Sequence, residues 1–303
     1  MVEGGVFPDY RSGMIAVVGR PNAGKSTLLN ALIGHKISIV TAKPQTTRHA
    51  ILGILTEDNL QAVFVDTPGL HEVSGKLINK AMNKAAVASL EGADLVLFMV
   101  DARGWTVNDD YILQRVVEAK VPCILLINKI DYVKKKEQLF PYLQSASEKH
   151  DFLEVIPMSA LKQSHVERVK DLVRAKLPSG PQLFPDGMLT DRGVGFRVGE
   201  VLREKLMLSL HDEVPYGLGV EINVLEDSAD QLKVDATVWV DRESHKGIVV
   251  GRAGERLKGV GRSARLELNK IFGRRFHLQT RVKVKNNWAD NAQALRQLGY
   301  DEY

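Results

Sequence analysis

Between residues 14 and 176, short and almost wholly apolar runs alternate with segments of helical periodicity. The predicted strands are 14–19, 60–66, 94–101, 122–128 and 154–159. The predicted helices are 25–33, 77–90, 107–119, 135–150 and 164–177. Strands this apolar are covered on both faces, which favours a mostly parallel sheet between two helix layers. A further run, 50–55, lies so close to 60–66 that the two must pair antiparallel, at the edge of the sheet.

A change of pattern marks a second domain. Residues 177–187 hold three prolines and two glycines, which indicates a linker, and the order after it is α-β-β-α-α-β. That order does not continue the alternating pattern and predicts a smaller α+β domain. The length of 303 residues suits about two domains. We predict an N-terminal extension (1–13), an α/β domain (14–177), a linker (178–192) and an α+β domain with a C-terminal tail helix (193–303).

Composition excludes several classes of protein. With 44% hydrophobic and 26% charged residues, the chain is not disordered, collagenous or coiled-coil. Its longest apolar runs hold about seven residues, against roughly 20 for a membrane span. The single cysteine, Cys123, excludes an internal disulfide and a cysteine-rich zinc site, and no secretory signal is visible. We expect a soluble, cytoplasmic protein.

The positive charge is concentrated in one stretch. Residues 242–285 carry 13 basic and 3 acidic side chains, whereas the remainder of the chain has a net charge of −6 and the whole a net charge of +4. This asymmetry predicts a polyanionic partner, the alternative being a solvated basic face.

The segment GRPNAGKS (19–26) leaves a predicted strand and opens a predicted helix. Gly19 and Gly24 let the backbone wrap phosphates, Lys25 can reach the β- and γ-phosphates, and the Ser26 hydroxyl can bind Mg²⁺. An ordinary glycine-containing turn is the alternative. The segment predicts a nucleotide phosphate site.

Two further motifs follow predicted strands. In DTPG (66–69), Asp66 is placed to hold Mg²⁺ and the amide of Gly69 to sense a γ-phosphate. In NKID (128–131), the Asp131 carboxylate can accept from both N1–H and N2–H₂ of guanine, which adenine cannot offer. Asn128 can brace the phosphate loop and the Lys129 stem can pack on the base.

These elements, with Ser159, Ala160 and Leu161 after the next strand, resemble the guanine-nucleotide-binding GTPases. PQTTRHAILGI (44–54), DTPGLH (66–71), VVGRAGERLKGVG (249–261) and the C-terminal VKVKNNWADNAQALRQLGY resemble the Era family of bacterial GTPases. The likeness spans all but about the first dozen residues. It implies a P-loop GTPase domain followed by an α+β KH domain of the second topological type.

The resemblance implies slow GTP hydrolysis with Mg²⁺. It places the Mg²⁺-binding threonine at Thr47, with Thr46 as the alternative, and puts Leu70 where Ras-type enzymes carry a water-orienting glutamine. Asn22 matches a position that holds K⁺ in related GTPases. The predicted catalytic residues are Lys25, Thr47 and Gly69, and the predicted metal ligands are Ser26, Thr47 and Asp66. The predicted nucleotide-binding residues are Gly19, Arg20, Pro21, Asn22, Ala23, Gly24, Lys25, Ser26, Thr27, Asp66, Thr67, Pro68, Gly69, Leu70, Asn128, Lys129, Asp131, Ser159, Ala160 and Leu161.

The tetrapeptide GRAG (251–254) between two predicted helices fits the G-x-x-G loop of a KH domain, where missing Cβ atoms permit close approach of single-stranded nucleic acid. The resemblance implies the 3′ end of small-subunit ribosomal RNA as target and a role in small-subunit assembly. It permits peripheral association with the inner membrane and favours a monomer. The predicted RNA-binding residues are Lys246, Gly251, Arg252, Ala253, Gly254, Arg256, Lys258 and Arg262.

Three other functions stay open at this point. A P-loop kinase or ATPase shares the phosphate loop but does not need NKID. An RNA-binding chaperone could carry a vestigial or merely regulatory nucleotide domain. A peripheral membrane GTPase is the third, although no strongly amphipathic anchor is present.

Overall fold

The computed structural model describes residues 10–69, 76–134, 137, 139–211, 214–228 and 231–300. They form two compact units. The first comprises the described parts of Met1–Val40, Thr47–Val73 and Met82–Asp191. The second comprises the described parts of Thr41–Thr46, Ser74–Ala81 and Arg192–Tyr303.

The first unit is built on a six-stranded sheet. Its strands are β1 (Arg11–Val18), β2 (Ile51–Glu57), β3 (Leu60–Asp66), β4 (Leu95–Asp101), β5 (Cys123–Asn128) and β6 (Glu154–Pro157). The order is β2-β3-β1-β4-β5-β6, and β2 alone pairs antiparallel. The predicted mostly parallel sheet with one antiparallel edge strand is therefore confirmed. The helices before Asp191 are α1 (Lys25–Ile33), α2 (Leu77–Glu91), α3 (Val107–Ala119), α4 (Leu139–Ser147) and α5 (Gln163–Lys176).

The apolar strands form the core of this unit and bring their polar ends together. Every residue of β3, β4 and β5 is buried. Because β1, β3, β4 and β5 run parallel, the residues that close them lie at one edge of the sheet, where α/β proteins bind ligands. Asp66, Asp101 and Asn128 are the last residues of their strands.

The proline-rich segment predicted as a linker (178–192) lies along β2 and β3. The fully buried Gln61 accepts the amide of Phe184 at 2.8 Å and donates to the carbonyl of the same residue at 2.9 Å. The amide of Ile54 donates to the carbonyl of Leu189 at 2.9 Å. Almost all of this segment therefore belongs to the first unit.

The second unit contains a three-stranded sheet and, among its described residues from Val194 onward, four α-helices. Its elements are α6 (Val194–Ser209), β7 (Gly219–Asp227), β8 (Gln231–Val240), α7 (Glu243–Val250), α8 (Glu255–Phe272), β9 (Arg275–Val284) and α9 (Ala292–Gln297). The central β8 pairs antiparallel with β7 and parallel with β9, as expected for a KH domain of the second topological type. Trp288 is fully buried and donates its indole N–H to Gly217, so it anchors the C-terminal segment. Among the described residues, no helix is both long and apolar enough to span a bilayer.

Candidate functional site

The loop between β1 and α1 has the backbone that a phosphate cradle requires. Gly19 has φ +154°, and a Cβ there would lie 2.3 Å from the carbonyl oxygen of Met99. Gly24 has φ +108°, and a Cβ there would lie 2.3 Å from the side-chain nitrogen of Asn128. Both positions accept glycine alone, because any side chain meets these fixed atoms and an unfavourable φ.

Lys25 is held inside this loop by backbone carbonyls. Its Nζ donates to the carbonyls of Gly19 at 2.8 Å and Arg20 at 3.1 Å, and the residue is only 6% exposed. Burial lowers the pKa of Lys25 to about 8, and the nearby Asp66 opposes this shift. A buried cation beside open backbone amides is complementary to a polyphosphate.

Four oxygen-bearing side chains, those of Asp66, Ser26, Ser38 and Thr47, converge beside Lys25. Asp66 is fully buried, and its Oδ2 accepts hydrogen bonds from Ser26 at 2.7 Å and Ser38 at 2.8 Å. The Ser26 hydroxyl lies 2.8 Å from that of Thr47. Burial raises the pKa of Asp66, although Lys25 and the hydroxyls oppose the rise. Within the described part of the chain, Asp66 Oδ1 has no hydrogen-bond partner. A buried carboxylate oxygen without a partner, flanked by hydroxyls, fits a hard divalent cation such as Mg²⁺.

The structure distinguishes the two candidate threonines. The Thr46 hydroxyl donates to the carbonyl of Lys43 at 2.7 Å and lies 2.6 Å from the hydroxyl of Thr41, whereas that of Thr47 contacts Ser26. Sequence reasoning missed Ser38, the other hydroxyl on Asp66. No motif marks it, because its contact depends on how the loop after α1 folds back.

The DTPG segment lies against the phosphate loop. Gly69 is buried, and a Cβ there would lie 2.7 Å from the backbone nitrogen of Pro21. The Thr67 hydroxyl donates to the carbonyl of Val17 at 2.9 Å, which attaches the segment to β1. Leu70, the residue in place of the water-orienting glutamine, lies outside the described residues.

The NKID motif joins the phosphate loop to the next strand end. Asn128 donates to the carbonyl of Ala23 at 2.8 Å and accepts the amide of Ala160 at 2.9 Å. Lys129 Nζ donates to the carbonyl of Asn22 at 2.5 Å. The bracing role predicted for Asn128 is thus present as a pair of hydrogen bonds. The amide of Ala160, expected to face the guanine carbonyl, is here bonded to Asn128.

Asp131 faces solvent. Its side chain is exposed and forms no hydrogen bond or ion pair with the residues that the structure describes, so both carboxylate oxygens are open to a ligand. In the neighbouring loop, Leu161 is 77% exposed, and the amide of Ser159 donates to His165 Nδ1 at 2.9 Å. His165 was not predicted from the sequence, and its role here is to hold the loop.

In the second unit, the GRAG loop forms a tight turn in which three of the four residues have a positive φ. Gly251 has φ +73°, Ala253 φ +50° and Gly254 φ +78°. A Cβ on Gly251 would lie 2.7 Å from that of Arg256, so this glycine is required by packing. Arg252 and Ala253 are exposed at the tip of the loop, where a nucleic-acid backbone can reach them.

Three of the predicted RNA-binding cations are open to solvent. Arg252, Lys258 and Arg262 are exposed and have no acidic partner among the described residues. Lys258 and Arg262 are four residues apart on α8 and therefore lie on the same helix face. Exposed, uncompensated cations on one face suit a phosphate backbone.

The other two predicted cations have partners in the protein. Arg256 donates to the carbonyl of Ile248 and so closes the end of α7, and Lys246 pairs with Glu243 at 3.2 Å. Of the apolar residues that precede the GRAG loop, Val249 lies in the core and Ile248 is 42% exposed.

The second unit also contains a contact, between Arg203 and Thr46, that no sequence motif predicts. Arg203 of α6 is fully buried, binds Glu200 through Nε at 2.7 Å, and donates to the carbonyl of Thr46. The ion pair raises the pKa of Arg203, although burial opposes this. Thr46 precedes the site residue Thr47 in the chain.

A phosphate loop, a buried aspartate beside hydroxyls and an NKID loop at the carboxyl edge of one parallel sheet define a P-loop GTPase unit, here followed by a KH unit. A family model described as 50S ribosome-binding GTPase matches residues 14–129, and a KH-domain model matches residues 213–289. The GTPase Era of Marinobacter nauticus is 44% identical over 98% of this chain and 97% of its own length. The GTPase Era of Vibrio vulnificus is 43% identical over 95% of this chain and 91% of its own length.

Solved structures agree with these sequence relatives. Era in complex with MgGDPNP and nucleotides 1506–1542 of 16S ribosomal RNA is 38% identical, with a TM-score of 0.93 over 96% of this chain and 99% of that chain. Aquifex aeolicus Era bound to GDP and AlF4⁻ gives a TM-score of 0.92 at the same identity. The chain belongs to the Era family of GTPases.

Proposed function

We propose that this GTPase binds GTP with Mg²⁺ at the sheet edge of the first unit, and that its nucleotide state controls binding of small-subunit ribosomal RNA near the 3′ end during subunit assembly. The observation that carries the proposal is the convergence of Ser26, Thr47 and the unpartnered oxygen of Asp66 beside the buried Lys25. A related Era crystallised with MgGDPNP and a 16S ribosomal RNA segment supports the ligand and the RNA.

The chemistry rests on positioning and charge. Mg²⁺, when held by Ser26, Thr47 and Asp66, supplies positive charge to the β- and γ-phosphates. The Lys25 ammonium leaves its carbonyl partners for phosphate oxygens and stabilises the charge that develops on transfer. Gly69 packs against Pro21 of the phosphate loop, and we assign its amide the role of sensing the γ-phosphate. Leucine at position 70 cannot orient water, so the intrinsic rate is slow.

The coupling to RNA uses the segment before Thr47. When the Thr47 hydroxyl turns to a bound cation, it constrains the adjoining peptide, and Thr46 within that peptide accepts the hydrogen bond from Arg203. Because Arg203 lies on α6, this hydrogen bond offers a route by which bound GTP could influence the second unit. RNA affinity is therefore expected to differ between the GTP and GDP forms.

The double variant Arg252→Asp/Ala253→Asp tests the RNA surface. We expect RNA affinity to fall at least about tenfold, because two carboxylates at the loop tip repel the phosphate backbone. Binding of a labelled 3′ segment of small-subunit ribosomal RNA is measured by fluorescence anisotropy with a non-hydrolysable GTP analogue and with GDP. Arg168→Asp, an exposed residue on α5, is the control and keeps wild-type affinity. Unchanged RNA binding in the double variant contradicts the assignment of this loop.

A K⁺ role for Asn22 is a separate part of the proposal. We expect single-turnover GTP hydrolysis to be about tenfold faster in K⁺ than in Na⁺, because a cation at the phosphate loop neutralises charge that develops on the transferred phosphate. Asn22→Gly, which tolerates the observed φ of +62°, is expected to lose the difference. Equal rates in the two salts remove the K⁺ role and leave the GTPase assignment intact.

Peripheral association with the inner membrane and a monomeric state also stay predictions. Flotation with vesicles tests the first, and sedimentation velocity tests the second.

A further inference from the structure

Asp101 is a buried carboxylate at the nucleotide edge of the sheet that no motif includes. It ends β4 and pairs in register with Asn128 at the end of β5. It is 2% exposed, and its Oδ2 lies 3.0 Å from the Nζ of Lys129. Arg103 also binds it, with Nε 2.9 Å from Oδ1 and a terminal nitrogen 2.7 Å from Oδ2.

The carboxylate stays charged despite its burial. Burial alone would raise the pKa of Asp101, but the hydrogen bonds from Arg103 and Lys129 outweigh it and hold the pKa well below its usual range. A buried ionised group is tolerated only where its partners remain in place. Asp101 is therefore a fixed negative charge beneath the Lys129 ammonium.

The contact with Asp101 restrains Lys129, whose backbone conformation is unfavourable. Its backbone is left-handed, with φ +68°, and the carbonyl that accepts its ammonium belongs to Asn22, which is left-handed too, with φ +62°. Non-glycine residues hold this conformation at a cost that surrounding contacts must meet. The ammonium lies between the Asn22 carbonyl and the Asp101 carboxylate, and both contacts determine where the lysine stem runs.

We propose that Asp101 is a positioning residue for guanine recognition, holding Lys129 so that its stem lies along the face of the base. The inference rests on the proposed binding of GTP at this edge. Without the carboxylate, the ammonium keeps only the Asn22 carbonyl, and the stem is free to leave the base. The phosphate end, with Lys25 and Asp66, does not contact Asp101. Loss of Asp101 therefore weakens nucleotide binding and leaves the hydrolytic step at saturating GTP nearly unchanged.

Asp101→Asn tests this, because asparagine keeps the shape and removes the charge. We expect GTP and GDP to bind about 10-fold to 100-fold more weakly, the loss typical of a charge-assisted hydrogen bond, with single-turnover hydrolysis at saturating GTP within about twofold of wild type. Asp110→Asn is the matched control, since Asp110 also pairs with a lysine, Lys149, at 3.0 Å but is exposed on α3. It should bind GTP as the wild type does.

A double-variant cycle separates positioning from general support of the fold. In a Lys129→Ala background, the Asp101→Asn change should no longer alter GTP affinity; a full effect there overturns the proposal. Arg103→Met removes the other partner of the Asp101 carboxylate. If it lowers GTP affinity as much as Asp101→Asn does, Asp101 acts by stabilising the end of β4 and not by positioning Lys129. If Asp101→Asn folds poorly, Asp101→Ser, which also removes the charge, replaces it in the same cycle. A wild-type protein that does not bind GTP contradicts the proposed function itself, whereas normal GTP binding by Asp101→Asn contradicts only this inference.

Discussion

Asp131→Asn is expected to reverse the base preference of the GTPase. GTP affinity should fall about 10²-fold to 10⁴-fold, because an asparagine amide offers one acceptor where the carboxylate offers two for the N1–H and N2–H₂ of guanine. Xanthosine triphosphate, which carries an oxygen in place of the N2 amino group, can instead accept from the new amide. The exposed and unpartnered state of Asp131 among the described residues means that the substitution breaks no contact within the fold.

Competition binding with labelled GTP and xanthosine triphosphate measures this preference. Asp171→Asn, on the exposed side of α5, changes the charge equally and should leave both affinities unaltered. If Asp131→Asn retains the wild-type preference for GTP, Asp131 does not read the base. The nucleotide would then be selected elsewhere, as in a kinase or ATPase that shares only the phosphate loop.

Lys25→Ala is expected to lower single-turnover GTP hydrolysis about 10²-fold to 10³-fold, the usual cost of removing one preorganised charge at a transition state. Lys25 is buried in the phosphate loop, and its Nζ lies 2.8 Å from the carbonyl of Gly19. Nucleotide affinity should fall as well, because the ammonium contacts phosphate in the ground state. Phosphate release from a stoichiometric complex measures the rate.

The same variant decides whether the nucleotide unit matters to RNA. We expect Lys25→Ala to lose the difference in RNA affinity between GTP and GDP, with Lys84→Ala on the exposed face of α2 behaving as wild type. Unaltered RNA binding and normal maturation of the small subunit in cells carrying Lys25→Ala would support an RNA chaperone with a vestigial nucleotide unit.

Much of the fold could be predicted because its signals are local. The apolar runs of β3, β4 and β5 and the glycines of the phosphate loop depend on periodicity and on allowed φ values, which a short window of sequence contains. The order of two strands, two helices and a strand around GRAG likewise predicts the KH unit. Boundaries were less accurate: the helix predicted over 135–150 ends at Ser147, and the strand predicted over 154–159 ends at Pro157.

The sequence by itself determined which motifs this chain carries: a phosphate loop, an NKID motif whose carboxylate is predicted to read the base, and a basic G-x-x-G loop. Only the tertiary structure decided which other residues contact the side chains of these motifs. It placed the Thr47 hydroxyl beside Ser26, Ser38 on Asp66, Asp101 beside Lys129, and Arg203 on the carbonyl of Thr46. The physical reason is sequence separation. The motif residues depend on local backbone geometry, which a short segment of sequence specifies. Their partners are distant in the sequence, and burial in the folded chain decides which of these polar groups must pair.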